Sequence, residues 1–532
     1  MQHHNRTQRP SEPTPEASVV PLGLSVEEWE RMLKATHWGG PERQVTSASR
    51  STSPGHSTFT IQDLKQSYSV GEELHATIFA KDFTGQPKRY GGDFFQAKVY
   101  SDKLKASVFG EVLDHQNGTY SARFVLPWAG QALVAVRLIH SSEAVQAQKQ
   151  HRSTDSGRAS FLGYFVGVNS RGAREEETVL CSVKWAGVVL STTAQKNCCC
   201  EYRDARTGLT WQCHRPRGLP CDALMYHSKG KYVNSLTPLE KVLMDRKKHV
   251  NIWLKGDRRL VTITSSNATV GTLLLPYTQS ASVTYSVLFW CCSPGVPTPI
   301  PAGFYLNNVW TSFVCATRHF AVNDTTQCLK DKHIYIMGDS TSRQWFDYLI
   351  QAVPTLKLLN SHAVYQVGPH LAVDVLNNID LHWRSHGLPL RSQKVPIAAF
   401  QYIGNVIDEM AGGPHTVIVF TMWAHFITFP LSYYAHRVSL VRRSVMELLR
   451  RAPETKVIIK TANTGYKDIY TGDWFSLQLD RILYEAFRDV TGVYILDVWQ
   501  MTACHYNTDN LHPAKMIIKE EIDILLSFMC PK

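Results

Sequence analysis

The spacing of apolar residues changes along the chain, which limits the possible folds more than any other property of the sequence. Between residues 59 and 140, apolar and polar side chains alternate, as at Tyr120, Ala122 and Phe124. Alternation with a period of two is typical of β-strands buried on one face. After residue 331, short apolar runs are separated by segments with helical spacing. A chain of 532 residues with two such patterns is predicted to form two or three domains.

The alternating region, residues 58–142, predicts an immunoglobulin-like β-sandwich of about seven short strands. Its apolar runs are separated by turn residues, including Gly71, Gly130 and the pair Asn117-Gly118, which favours a hairpin. Residues 1–57 predict a tail, because Gly, Pro, Ser and Thr dominate its two ends. Within it, Ser25 and Glu28 have the spacing of a capping box, so we expect a short amphipathic docking helix there.

Ten of the twelve cysteines lie between Cys181 and Cys328, within residues 143–330. Their even number and clustering predict a cysteine-rich, disulfide-linked bridge, and adjacent cysteines such as Cys291-Cys292 do not fit a zinc site. Disulfides and glycosylation sequons indicate the secretory pathway, so we expect a Golgi-lumenal or secreted protein. The polar N-terminus contains no signal peptide, so a targeting segment, and any membrane attachment through it, is expected to be absent from this chain. The expected glycosylation sites are Asn117, Asn267 and Asn323.

The formal net charge of +11 favours an acidic partner. The basic residues occur in short, dispersed clusters, and the sequence has no zinc-finger, RNA-binding or basic-zipper signature. Anionic glycans, free or on a glycoprotein, and membrane surfaces are therefore the candidate acidic partners, and nucleic acid is not expected.

Residues 331–532 predict a three-layer α/β domain, in which a mostly parallel sheet lies between two layers of helices. Buried strands are predicted at 334–337, 416–420, 457–460 and 493–496. Helices are predicted from Trp345 to Pro354 and over 438–449, 477–487 and 514–528.

The segment Gly338-Asp339-Ser340-Thr341-Ser342-Arg343 follows the first of these strands and begins the first helix. A serine in such a turn exposes its hydroxyl, and the N–H groups of the helix N-terminus can stabilise an oxyanion. Gly338 allows a tight turn, and Arg343 lies one helical turn further on, where it can hold an acidic group or the loop. Ser340 is therefore the candidate nucleophile.

Asp509 and His512 follow the last predicted strand and precede the closing helix. A serine hydroxyl needs a neutral imidazole to accept its proton, and the imidazole needs a carboxylate to fix its tautomer. Three-residue spacing allows the Asp509 carboxylate to contact the His512 ring from the same loop. Ser340, Asp509 and His512 are thus the predicted catalytic triad.

Gly-Asp-Ser at the start of an α/β domain and Asp-x-x-His at its end resemble the SGNH, or GDSL-like, hydrolases. Gly-Asp-Ser-x-x-Arg with the preceding Cys328 is more narrowly similar to PC-esterases, which are associated with adding or removing O-acetyl groups on cell-surface polysaccharides. Residues 114–120, with Pro127 and Gly130, resemble filamin-type immunoglobulin repeats. In this order the modules resemble the neurexophilin and PC-esterase domain family, from about Ser25 to the C-terminus.

The SGNH resemblance implies oxyanion donors from a glycine and an asparagine in two intermediate blocks, yet residues 421–425 contain no asparagine. A structural role is favoured for the three stand-ins in these blocks, Gly368, Trp423 and His425. Asp380, His382 and His386 have a spacing that permits a metal site, but a hydrogen-bonded loop is the favoured interpretation, and no metal is expected. The residues considered for the pocket are Gly338, Asp339, Arg343, Gly368, Trp423 and His425.

The resemblance implies that Ser340 attacks an acetyl carbonyl and forms an acetyl-serine intermediate. A sugar hydroxyl as the next acceptor makes the protein an O-acetyltransferase, and water makes it an esterase. We expect a glycan O-acetyltransferase for sialylated or other acidic glycans, with acetyl-CoA considered as acyl donor and no bound cofactor. The alternatives are a glycan O-acetyl esterase with the same triad and a secreted, neurexophilin-like binding glycoprotein without catalytic activity.

Overall fold

The computed structural model describes residues 20–41, 46–154, 160–168, 170–185, 188–189, 199–229, 236–265, 291–465, 472–505 and 511–531. The predicted carboxylate Asp509 and the predicted glycosylation site Asn267 lie outside these residues.

The N-terminal part begins with the predicted helix. Ser25 Oγ accepts the N–H of Glu28 at 3.2 Å, and the Glu28 carboxylate accepts the N–H of Ser25 at 2.8 Å, which forms the capping box. The elements described in residues 20–154 are helix α1 (Val26–Ala35), strands β1 (Thr58–Ile61), β2 (Tyr68–Ser69), β3 (Glu73–Phe79), β4 (Phe94–Ser101), β5 (Ala106–Asp114), β6 (Thr119–Val125) and β7 (Gly130–His140), and helix α2 (Ser142–Thr154).

The first sheet is built around antiparallel pairings between β1 and β3, β3 and β6, β6 and β5, β5 and β4, and β4 and β7. Strand β5 changes partner along its length: residues 106–110 pair with β4, and residues 111–114 pair with β6. Leu74, Ala76 and Ile78 of β3 are buried and alternate with more exposed neighbours. This alternation confirms the period predicted from the sequence for these strands.

The second sheet follows in the chain and is joined by disulfides. Cys181 of its strand β9 is bonded to Cys213 of β12, and Cys200 of β11 is bonded to Cys221. Its strand order is β11-β12-β9-β8-β13-β23, in which β23 is the later segment Val395–Pro396, and β10 pairs with β9. The elements in this part of the chain are β8 (Ser160–Val168), β9 (Arg174–Trp185), β10 (Val188–Val189), β11 (Cys200–Arg203), β12 (Thr210–Cys213), β13 (Leu224–Lys229) and α3 (Pro238–Leu243).

Five strands that the sequence analysis placed in the cysteine-rich bridge belong to the first sheet. Strands β14 and β16 pair with β7, β15 pairs with β1, and β17 pairs with β5 and β18. Apolar periodicity reports only local structure, so it gives no signal for such distant pairings. These strands are β14 (Ile252–Trp253), β15 (Lys255–Gly256), β16 (Val261–Thr264), β17 (Gly303–Leu306) and β18 (Val309–Ser312).

The C-terminal part contains every strand and helix that the sequence predicts after residue 331, together with an edge hairpin and short helices that it does not predict. The elements are α4 (Val322–Leu329), β19 (His333–Gly338), α5 (Ser340–Ala352), β20 (Lys357–Leu359), β21 (His370–Asp374), β22 (Ile379–Ser385), β23 (Val395–Pro396), α6 (Ile403–Asp408), β24 (Thr416–Phe420), α7 (Leu431–Arg451), β25 (Lys456–Lys460), α8 (Asp473–Phe487), β26 (Val493–Leu496), α9 (Trp499–Cys504) and α10 (Lys515–Met529).

The third sheet has the strand order β20-β21-β22-β19-β24-β25-β26. The pairings from β22 to β26 are parallel, and those among β20, β21 and β22 are antiparallel. Helices α5 and α10 pack on one face, and α7 and α8 pack on the other. Strand β19 has its later parallel neighbours on both sides, β22 and β24, so the winding of the sheet reverses there. Ligands of open α/β sheets bind at the carboxyl ends of strands at such a point.

Residues 20–41 contact helix α8, which covers the third sheet, and the start of β4 in the first sheet. Helix α1 packs on α8 through Trp29 and Met32, both 1% exposed. Trp38 then donates its indole N–H to the carbonyl of Gly92, near the start of β4, at 2.8 Å. The predicted docking helix therefore docks within its own chain. None of the helices described is both long and apolar enough to cross a bilayer.

Four disulfides lie wholly within the described residues, and they close loops of very different length. Cys328 and Cys530 are separated by 202 residues, whereas Cys292 and Cys315 are separated by 23. A crosslink that closes a longer loop removes more conformational entropy from the unfolded chain.

Replacing both Cys328 and Cys530 by alanine is expected to lower the free energy of unfolding by about 5 kcal/mol. The matched double variant of Cys292 and Cys315 should lose about 2 kcal/mol less, from the ratio of the loop lengths. Chemical denaturation without reductant measures both losses. Equal losses would contradict an entropic origin for the difference.

Candidate active site

The predicted nucleophile lies at the turn between β19 and α5. Gly338 ends the strand, Asp339 caps the helix, and Ser340 is its first residue. Gly338 has φ of 156°, and a Cβ placed on it would lie 2.5 Å from Cγ2 of Thr421. Only glycine therefore permits this close approach between the turn and the residues after β24.

Asp339 holds this turn together and has both carboxylate oxygens occupied. Oδ1 accepts the N–H of Thr341 at 2.8 Å and its hydroxyl at 2.7 Å, and Oδ2 accepts the N–H of Ala424 at 3.1 Å. The residue is 1% exposed. Asp339 thus fixes the start of α5 against residues 421–425.

Ser340 and His512 are brought together from positions 172 residues apart: Ser340 Oγ and His512 Nε2 lie 2.7 Å from each other. The residues on both sides of His512 are held by hydrogen bonds from side chains to their main-chain carbonyls. Gln344, on the same helix as Ser340, donates to the carbonyl of Pro513 at 3.2 Å, and Asn463 donates to the carbonyl of Leu511 at 3.2 Å. The imidazole is therefore oriented by the chain on either side of it.

Asn463 is a site residue that the sequence analysis missed. It is fully buried just beyond the carboxyl end of β25, and its Oδ1 accepts a hydrogen bond from Lys460 Nζ at 2.7 Å. Burial lowers the pKa of Lys460. A polar residue directly after a buried parallel strand was the available signal, because such residues face the crevice at the sheet edge.

The residues considered as oxyanion donors differ in where their N–H groups point. The Gly368 N–H is donated to the carbonyl of Val364 at 2.9 Å, so it is not directed at the serine. Trp423 is 2% exposed, and its indole N–H points to the hydroxyl of Thr341 at 3.4 Å, under the helix start. The N–H of Ser340 lies at the first helical position, where an α-helix provides no acceptor, and it is the better-placed donor.

His425 forms a buried pair with His386 directly behind the turn. His386 Nε2 and His425 Nδ1 lie 3.0 Å apart. The main-chain N–H of His386 donates to the carbonyl of Gly338 at 3.2 Å. Burial lowers the pKa of His425 to about 4 and that of His386 well below its usual value. Both rings are therefore neutral near pH 7 and brace the turn without adding charge.

Arg343 lies one turn along α5 from Ser340 and is half-buried. Its guanidinium lies 4.4 Å from the ring centre of Tyr365 and 5.4 Å from that of Trp383. The Tyr365 hydroxyl donates to Asp347 at 2.7 Å, which holds the ring in place. Stacking on aromatic rings orients the guanidinium while leaving its N–H edge able to bind an anion.

The residues weighed for a metal site do not converge. Near the start of β22, the Asp380 carboxylate is hydrogen-bonded to the rings of His333 at 2.6 Å and His382 at 3.4 Å. His386 follows the other end of that strand. One other group in the described chain, His319 with Glu520 and Asp523, has ligand atoms close enough to hold a cation. There Lys519 Nζ lies 2.6 Å from the Asp523 carboxylate, so an ammonium already balances the negative charge.

The Ser340–His512 pair is accessible enough for a large substrate. His512 is exposed and Ser340 is half-buried. A cavity of about 920 Å³ lies between the first and third sheets, but neither Ser340 nor His512 is among the described residues that line it. Both expected glycosylation sites within the described residues, Asn117 and Asn323, are exposed.

Two family models match this sequence. The model described as NXPE family member 4-like, C-terminal domain, matches residues 310–530, and the neurexophilin model matches residues 44–253. The chain belongs to the neurexophilin and PC-esterase domain (NXPE) family. Its NXPE C-terminal domain contains both Ser340 and His512, and this domain type is related to the PC-esterase and SGNH families. The neurexophilin match extends from before β1 to β14, so it includes strands of both the first and second sheets.

Proposed function

We propose that this NXPE family member is a serine-dependent glycan O-acetyltransferase. Ser340 is the nucleophile, His512 the general base, and Asp509 the carboxylate that orients the base. The observation that carries the proposal is the 2.7 Å separation of Ser340 Oγ and His512 Nε2 at the carboxyl end of β19, where the winding of the third sheet reverses.

The reaction proceeds in two acyl transfers. Ser340 Oγ attacks the thioester carbonyl of acetyl-CoA as its proton passes to His512 Nε2, and the Ser340 N–H stabilises the oxyanion. Collapse breaks the carbon–sulfur bond, and the histidine returns the proton to the leaving thiolate. A sugar hydroxyl then gives its proton to His512 and attacks the acetyl-serine. Collapse breaks the bond between the acetyl carbon and Ser340 Oγ, His512 returns the proton to Oγ, and the O-acetylated glycan leaves.

An acidic glycan is the proposed acceptor. Arg343 lies one helical turn from Ser340 and is held on Tyr365, so it can bind a carboxylate beside the reacting hydroxyl. The net charge of +11 favours approach of an anionic substrate. Sialylated glycans are the acceptors to be tested first.

The same proposal includes finer structural and cellular assignments. We assign the core of the first sheet, residues 58–142, to a filamin-type immunoglobulin-like module and the third sheet to an SGNH-like domain. The four disulfides fit an oxidising compartment, which supports a lumenal or secreted site of action.

The test compares the wild-type chain with Ser340→Ala. In one assay acetyl-CoA and a sialylated glycan are supplied, in a second an acetylated glycan alone, and acetyl is followed by mass spectrometry. Acetyl transfer should fall at least about 10⁴-fold in the variant, because the covalent intermediate cannot form. Ser49→Ala removes an exposed hydroxyl in the N-terminal part and serves as the matched control.

The two assays separate the alternatives. Acetyl release in the second assay without transfer in the first identifies an esterase that uses the same pair. No acetyl movement by a folded wild-type chain in either assay overturns the proposal and favours the binding glycoprotein.

A further inference from the structure

A lysine of the first sheet contacts the chain that leads to the candidate base. Lys98, on β4, donates from Nζ to the carbonyl of His505 at 2.8 Å and to that of Cys504 at 3.4 Å. The side chain is buried, and the whole residue is 7% exposed. Cys504 is the last residue of α9. The Lys98 ammonium of the first sheet therefore caps the C-terminus of this helix, which follows the last strand of the third sheet.

Helix geometry explains why this contact is favourable. The last carbonyls of a helix lack intrahelical donors and carry partial negative charge, so a cation there is stabilising. Arg137 on β7 adds to the same end, with a guanidinium nitrogen 3.5 Å from the carbonyl of Ala503. Gln96 holds that guanidinium at 2.6 Å, and Gln96 and Arg137 are cross-strand partners. The first sheet thus presents a prearranged pair of cations to the end of α9.

The end of α9 is also the point from which the chain continues towards His512. His512 lies seven residues after His505. Thr502 of α9 accepts the N–H of Thr464 at 2.9 Å, next to Asn463, which binds the carbonyl of Leu511. Lys98 and Asn463 therefore fix the chain at two points, one before and one beside the histidine.

We propose that Lys98 is a positioning residue for the Ser340–His512 pair, so that the first sheet is an obligatory part of the catalytic unit. This inference rests on the proposed function for its catalytic meaning. Burying an ammonium costs free energy that a methionine at the same place would not incur. Its hydrogen bonds are to main-chain carbonyls at the start of the segment that leads to the base.

The test uses the full chain with Lys98→Met and, as a matched control, Lys88→Met. Lys88 is another buried lysine, in the loop between β3 and β4, but it is paired with Glu143 at 2.5 Å and does not contact α9 within the described residues. Phosphonylation of Ser340 by a fluorophosphonate, in which Oγ displaces fluoride from phosphorus, is measured below the unfolding temperature of both variants. We expect Lys98→Met to slow phosphonylation about 10- to 100-fold, because displacement of the base misaligns proton transfer. Lys88→Met should lower thermal stability and leave phosphonylation within about 2-fold of wild type.

Kinetic and exchange measurements separate positioning from general loss of stability. For acetyl transfer, Lys98→Met should lower kcat and leave KM for the acyl donor unchanged. Amide hydrogen exchange should increase at residues 499–505 and 511–514 in Lys98→Met and not in Lys88→Met. Equal phosphonylation rates and equal hydrogen exchange in the two variants would overturn the inference. If wild-type Ser340 does not react at all, the proposed function fails, and hydrogen exchange alone decides whether Lys98 positions His512.

Discussion

Substitution of His512 by glutamine is expected to reduce kcat/KM for acetyl transfer about 10⁴-fold. Glutamine retains a polar group near the position of Nε2, which lies 2.7 Å from Ser340 Oγ, but it cannot accept the serine proton at neutral pH. The flanking contacts of Gln344 and Asn463 involve main-chain carbonyls and remain available. The fold should therefore be preserved, and the loss should appear in kcat rather than in thermal stability.

His415→Gln is the matched control for this loss. His415 is exposed just before β24, beyond the end of the third sheet opposite Ser340, and its Nδ1 lies 2.7 Å from the carbonyl of Asp331. It should retain wild-type activity within about 2-fold, as expected for a surface substitution. An His512→Gln variant that retained more than a tenth of the wild-type kcat/KM would exclude this residue as the base.

The second large effect concerns acid stability. Burial lowers the pKa of His140 to about 3, and it lowers the pKa of His227 to about 3 in the second sheet. The reference histidine pKa is 6.5, so below pH 6.5 the unfolded chain binds protons that the folded protein excludes. Proton binding stabilises the unfolded chain alone between pH 6.5 and about 3, so the free energy of unfolding falls by about 1.4 kcal/mol per pH unit for each ring. Above pH 6.5 this loss disappears.

We therefore expect His140→Gln to gain about 3 kcal/mol relative to wild type when the pH falls from 7.5 to 4.5. His227→Gln should show a similar gain, and the two gains should add because the residues lie in different sheets. Chemical denaturation across this pH range measures the change, and any constant packing loss at pH 7.5 cancels.

The His415→Gln variant also serves as the control for the acid measurement, because it makes the same substitution at an exposed position. Buried carboxyl groups such as Asp480 and Glu521 have raised pKa values and oppose the loss in the total stability of wild type. The comparison between variants is therefore more informative than the wild-type curve. A pH-independent difference between wild type and His140→Gln would show that the ring is not excluded from protonation.

Sequence patterns predicted those parts of the fold and site that are determined locally. Alternation identified β6 and β7, helical spacing identified α5 and α10, and the capping box located α1. Ser340 and His512 were predicted as partners because each follows a predicted strand and precedes a helix, and parallel strands direct such loops to one sheet edge. Asp509 remains a prediction.

Contacts between distant segments were not predictable from these patterns. In the sequence, β17 is a short segment of four residues. Nothing near Phe304 or Tyr305 indicates that they pair with β5. Lys98 likewise has the sequence surroundings of an ordinary solvent-facing strand residue, although it is buried against His505. Which charges end at an interface depends on the packing of whole sheets, which apolar periodicity does not encode.

The return of β17 and β18 to the first sheet affects the order in which the chain can fold during synthesis. Residues 58–140 leave the ribosome early, but the strand that pairs with β5 is made only after residue 303. N-terminal domains generally fold first as the chain emerges, yet this sheet keeps an unpaired segment of β5 until β17 has been made. The Cys328–Cys530 bond likewise cannot close until Cys530, 202 positions after Cys328, has left the ribosome. The nascent chain should therefore depend on chaperones until these distant segments have been synthesised.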